Sequence, residues 1–213
     1  MKSPTRPLRT RLQRTLATAV LLSTSTSSVL AASPAASACP DGAFLSGNLA
    51  LNANFETGIA GPSGNQAVCW QLGDALPPLS AAADWQMHTD NAGSRVCSRL
   101  LPGSAPGPGG SRLLHFQAAG NEGGIYQSHA LDPTKAYMFS VWVRVLSGQV
   151  AIQSRATIGG PVAWTTKIGE WEQLRVCTNS LANTDTLAVF NQAPTGGSFL
   201  VDRVELREIA IRE

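Results

Sequence analysis

Tyr126, Trp142, Arg144, Gln153 and Arg155 are the residues of this chain best suited to hold a ligand without breaking a bond in it. Trp85 and Trp164, near strand ends or loops, extend the set. A flat ring stacks on an apolar ligand face, and a neighbouring amide or guanidinium bonds the ligand's polar edge. Each residue also has a structural reading, Trp142 as packing beneath a loop and the two arginines as solvation of a sheet. Catalysis has thinner support. His88, His115 and His129 stand in no triad motif, and there is no GxSxG, HExxH or glycine-rich phosphate loop. Glu122 is a lone acid beside two glycines, whereas acid–base hydrolysis of a glycoside ordinarily needs two placed carboxylates.

These side chains need strands to carry them. Tyr137, Phe139, Val141, Val143 and Val145 alternate with Met138, Ser140, Trp142 and Arg144, the period-two pattern of a strand with one buried face. Ser147-Gly148 then reads as a tight turn into Val150, Ile152 and Ser154, with Gln153 and Arg155 on the other face, so a hairpin is expected. Further strands are expected at Trp85 to Thr89, Ser111 to Ala118, Gly124 to Leu131, Gln173 to Cys177, Thr186 to Asn191 and Phe199 to Ile211. The segment 102–111, PGSAPGPGGS, reads as a surface loop.

The two ends of this series frame the rest. In NLALNANFETG, Asn48 to Gly58, the residues Leu49, Leu51, Ala53 and Phe55 alternate with polar ones, which predicts an opening strand that buries them. At the far end Phe199 and Val201 are out of phase with Val204 and Leu206, and a β-bulge at Asp202-Arg203 would restore the register. If the ends meet in one sheet, Glu56 and Asp202 bring one carboxylate each to a shared place.

Composition agrees with strands. Of 213 residues 43% are hydrophobic and only 14% charged, with 20 Gly and 13 Pro, so turns are plentiful and charged helical faces scarce. Residues 1–38 differ: Lys2, Arg6, Arg9, Arg11 and Arg14 precede the apolar run Leu16 to Leu22 and a small-residue stretch. This is the pattern of a secretory signal peptide, cleaved after Ala32 or after Ala38, and the apolar run is too short to span a membrane. Cleavage after Ala38 would leave Cys39 first, as in a lipoprotein, but Ala36 stands where such signals carry Leu. Residues 1–38 hold five positive charges and no negative one, so the formal +2 of the chain becomes −3 for residues 39–213. No basic surface then argues for nucleic acid. Residues 39–47 read as a lead-in and 48–213 as one all-β, two-sheet antiparallel sandwich, secreted or held in the periplasm or cell envelope and expected to be a monomer.

Four cysteines in an exported chain read as two disulfides with three possible connectivities. The expected pairs are Cys69–Cys97, which closes a local loop, and Cys39–Cys177, which ties down a terminus. Zinc is disfavoured, since no pair has CxxC spacing and no histidine is close by.

NLALNANFETG, Gly124-Ile125-Tyr126-Gln127, AYMFSVWVRV, Glu170-Trp171 and FLVDRVEL, in that order over residues 48 to 208, resemble the galactose-binding-like jelly-roll carbohydrate-binding modules of the family four, nine and twenty-two type. The resemblance implies a jelly roll that binds poly- or oligosaccharide without catalysis. It implies a structural calcium at Glu56 and Asp202, and it gives Trp171 a structural role. The competing expectation is a structural or protein-interaction scaffold with the same fold and no sugar site.

Overall fold

The computed structural model describes residues 39, 43–59, 66–75, 78–90, 94–103, 110–120, 122–154, 161–179 and 184–210. The signal segment lies outside them, as does Arg155. Among the described residues there is no helix, and none therefore long and apolar enough to cross a membrane.

Eleven strands follow in order: β1 Val68–Gln71, β2 Gln86–His88, β3 Arg95–Pro102, β4 Arg112–Ala118, β5 Gly124–Ala130, β6 Ala136–Ser147, β7 Val150–Ser154, β8 Val162–Trp164, β9 Trp171–Asn179, β10 Thr184–Asn191 and β11 Gly197–Ile209. They form two antiparallel sheets, one ordered β1-β3-β4-β11-β6-β9 and the other β2-β5-β10-β7-β8. The expected two-sheet sandwich is therefore present. Alternation decides which face each strand buries: Phe139, Val141 and Val143 of β6 and Val189 and Ile152 of β10 and β7 are fully enclosed between the sheets. Each such side chain contributes about 1.5–3 kcal/mol by leaving water. Phe116 and Phe199, direct partners on β4 and β11, add a tilted ring pair with centroids 5.1 Å apart.

The expected hairpin at Ser147-Gly148 is not formed. β6 and β7 belong to opposite sheets, so the turn carries the chain across the sandwich. Both arrangements bury the same alternate residues, Val143 and Val145 before the turn and Val150 and Ile152 after it, so the hydrophobic pattern does not distinguish them. Gly148 makes the crossing possible: its φ is +85°, and a Cβ there would meet the Asn191 carboxamide.

The opening stretch is not a strand either. Residues 51–54 form a turn, Leu49 and Leu51 are 39% and 55% exposed, and only Phe55 of the expected apolar face is fully buried. The asparagines explain this. The Asn52 side chain donates to the carbonyls of Thr57 and Ala83 and accepts from the Thr57 N–H, while Asn52 and Phe55 take positive φ of 44° and 56°. Side-chain bonds to the backbone replace a ladder here.

The two chain ends nevertheless meet. Leu45 and Leu49 donate to the carbonyls of Glu208 and Leu206, and Val204 donates to that of Ala53. The expected bulge in β11 is present, with a register shift between Asp202 and Glu205 and Arg203 at φ +45°. Both expected disulfides are formed: Cys69–Cys97 joins β1 to β3, and Cys39–Cys177 anchors the lead-in to β9.

Candidate functional site

The register of the five-stranded sheet lines up its outward side chains in two rows. One runs Gln86–Tyr126–Ala188–Gln153–Val162 across β2, β5, β10, β7 and β8. The next runs His88–Gly124–Phe190–Ala151–Trp164. Between them the row Met87–Ile125–Val189–Ile152–Ala163 points into the core, which fixes the outward direction of its neighbours.

Ala188 and Phe190 on β10 and Ala151 on β7 lie in the middle of the sheet, with Tyr126 on β5 to one side and Trp164 on the edge strand β8 to the other. Tyr126, Val162 and Trp164 are half-buried against a floor of Ala151, Ala188 and Phe190, so the aromatic rings are braced by packing rather than free in solvent. The Tyr126 hydroxyl donates to Gln86 Oε1, and its ring meets the edge of His88 at 6.2 Å and 89°. A hollow of about 290 Å³ opens beside it, lined by His88, Tyr126, Thr186 and Ala188. His88 Nε2 lies 3.5 Å from Asp90. Aromatic rings, amides and hydroxyls thus converge on one face, a combination that matches a ligand with apolar ring faces and polar rims.

Of the seven expected ligand-contacting residues, the structure brings three together on this face: Tyr126, Gln153 and Trp164. Trp142 and Arg144 lie on β6, on the outer face of the other sheet, because the chain crosses the sandwich after Ser147. Trp85 is 1% exposed and packs on Phe55 with ring centroids 5.5 Å apart, so it is a core residue and no ligand platform. Gln86, His88 and Thr186 were not among the expected residues. Their signal was present, since Gln86 and His88 alternate with buried Met87, but only the strand order reveals that they flank Tyr126.

Glu56 and Asp202 were expected to hold calcium. The Glu56 carboxylate instead accepts hydrogen bonds from the Ser111 hydroxyl and from the Ser111 and Arg112 N–H groups. The Ser111 hydroxyl foremost, with these N–H groups and the Arg112 charge, holds its pKa below the ordinary 4.5 against the opposing effect of burial. Gly110 permits the approach, for a Cβ there would fall on the carboxylate. Asp202 is buried and accepts from the Arg203 N–H at 2.7 Å. Calcium takes about six to eight oxygen ligands. Among the described residues no third acid, histidine or cysteine joins a metal-sized group. The N–H and O–H donors on Glu56 occupy carboxylate oxygens that calcium would have to take over.

No protein-family profile and no curated protein matches the chain. Solved structures do. A proposed sugar-binding protein from Bacteroides thetaiotaomicron superposes with a TM-score of 0.51 at 10% identity, over 76% of this chain and all of that one. The chain shares the two-sheet jelly-roll fold of that protein. Two carbohydrate-binding modules are also similar: a family 61 module in complex with β-1,4-galactotriose, with TM-score 0.48, 16% identity and coverage of 79% and 100%, and the family 11 module of a Clostridium thermocellum cellulosomal cellulase, with TM-score 0.46, 14% identity and coverage of 68% and 97%. At these identities the likeness concerns the fold, and the site rests on the geometry of this chain.

Proposed function

We propose that this protein is a secreted, non-catalytic carbohydrate-binding protein that holds a sugar chain on the outer face of its five-stranded sheet. The observation that carries this reading is the pair of rows in which Tyr126 and Trp164 stand over a floor of Ala188, Ala151 and Phe190. Sugar rings present C–H faces to such aromatics, and Gln86, Gln153, His88 and Thr186 bond the hydroxyls at their edges. Export is supported by the N-terminal pattern and by two disulfides, which persist in oxidising compartments. The sugar-binding role proposed for the Bacteroides protein of like fold supports the reading by analogy.

The scaffold reading draws on one specific observation. Ala151, Ala188 and Phe190 are 0%, 1% and 3% exposed, so the centre of the face is already covered and only its sides stay open. A glycan array separates the two. The proposal expects selective retention of neutral polysaccharides, weakened by Tyr126→Ala; a protein that retains no glycan on the array fits the scaffold and overturns the sugar site.

A further inference from the structure

The outer face of the six-stranded sheet carries a second hollow, of about 380 Å³, among whose walls are Phe44, Trp142, Arg175, Arg203, Glu205 and Arg207. Three arginines share it with a single carboxylate among the described residues, although residues 39–213 are net negative. Glu205 stands 3.5 Å from Arg203 and 3.6 Å from Arg207, so the one carboxylate of the hollow is shared by two guanidinium groups, while Arg175 meets a neutral amide. Arg207 is held over the Phe44 ring at 5.0 Å, and Arg175 donates to Gln173 Oε1 at 2.6 Å.

The same face has an excess of donors. Ser140 lies between Glu205 and Arg175 in the register and is 0% exposed, yet its hydroxyl has no hydrogen-bond partner among the described residues. Arg207 Nε is likewise buried without one, as is Arg144 Nε two residues beyond Trp142 on β6. Buried donors normally find acceptors.

We propose that this hollow is a second binding site, for an acidic sugar chain whose residues bear a carboxylate. Trp142 supplies the ring on which a pyranose face stacks, and Arg175 and Arg207 supply planar donor forks that match a carboxylate in two parallel bonds. A neutral sugar would leave the arginine charges without a counter-charge, and an acidic peptide would leave the indole unused. The site lies on the opposite side of the sandwich from Tyr126 and does not depend on the proposal made for that face.

Calorimetry on the purified protein with polygalacturonate, its methyl ester and polyglutamate tests this. Polygalacturonate is expected to bind, with affinity that falls as salt is raised. Its neutral ester and polyglutamate are expected to bind at least tenfold more weakly. Arg175→Gln, at an exposed position and with its fold checked by circular dichroism, and Trp142→Ala are each expected to weaken polygalacturonate binding about tenfold or more, and Tyr126→Ala to leave it unchanged. Absence of polygalacturonate binding, equal binding of polyglutamate, or loss through Tyr126→Ala with Arg175→Gln silent each overturns the site. Failure of neutral glycans to bind bears only on the Tyr126 face.

Discussion

Asn48 and Leu206 join the two ends of the domain through a side chain that behaves as backbone. The Leu206 N–H donates to Asn48 Oδ1 at 2.9 Å, its carbonyl accepts from the Leu49 N–H at 2.8 Å, and Asn48 Nδ2 reaches the Val204 carbonyl at 2.8 Å. Asn48→Ala removes both ladder contacts made by the side chain and leaves their backbone partners part-buried. The expected cost is about 1–3 kcal/mol of stability, read by urea denaturation with an unchanged slope.

Trp85 is a core residue, and its removal should act on stability alone. Trp85→Ala is expected to cost about 3–5 kcal/mol. Thermal unfolding shows this as a large drop in Tm. A variant still folded at low temperature retains its glycan affinity, in contrast to variants of the Tyr126 face.

Acid is expected to weaken the fold in two windows. Burial, aided by the Arg99 charge, holds His115 below its ordinary 6.5: Arg99 Nε donates to Nδ1, which leaves Nε2–H to donate to Ser198. A group with a depressed folded pKa gives stability that is complete above its unfolded value and lost as pH falls through the folded one. His115 therefore begins to lose its contribution as pH drops below 6.5, and Glu56 as it drops below 4.5, each loss being complete once pH has passed the folded value. Tm measured from neutral to acid pH should decline in the first window in the wild type and decline less there in His115→Gln.

Calcium is expected to leave stability unchanged, because the ion would have to displace the three hydrogen bonds that Glu56 already accepts. Calorimetric scans in calcium and in EDTA are expected to superpose. A rise in Tm with calcium would show that Glu56 exchanges its serine and backbone donors for the ion.

Much of the fold was legible in the sequence because alternation is a local property. The inward faces of β4, β6 and β11, the bulge at Asp202-Arg203 and the cysteine pairing all follow from patterns a few residues long or from compartment and loop closure. The turn after Ser147 was not legible, since a hairpin and a crossing bury the same valines. That one ambiguity governs the site: it decides whether Trp142 and Arg144 share a face with Gln153, and they do not. The opening stretch misled for a different reason, as Asn48 and Asn52 spend their side chains on backbone bonds and turn an alternating segment into a looped one. β1, β3 and β8 carried no pattern strong enough to be expected, and strand order, which places Gln86 beside Tyr126, is a property of the whole sandwich.

The central claim is that the Tyr126 face holds neutral sugar chains, and calorimetric titration with the strongest neutral glycan from the array tests it most directly. Stacking on a braced ring contributes about 1.5–3 kcal/mol, so Tyr126→Ala and Trp164→Ala should each weaken binding about tenfold or more while Trp142→Ala leaves it unchanged. Wild-type affinity in both Tyr126→Ala and Trp164→Ala, or its loss in Trp142→Ala instead, would contradict the account.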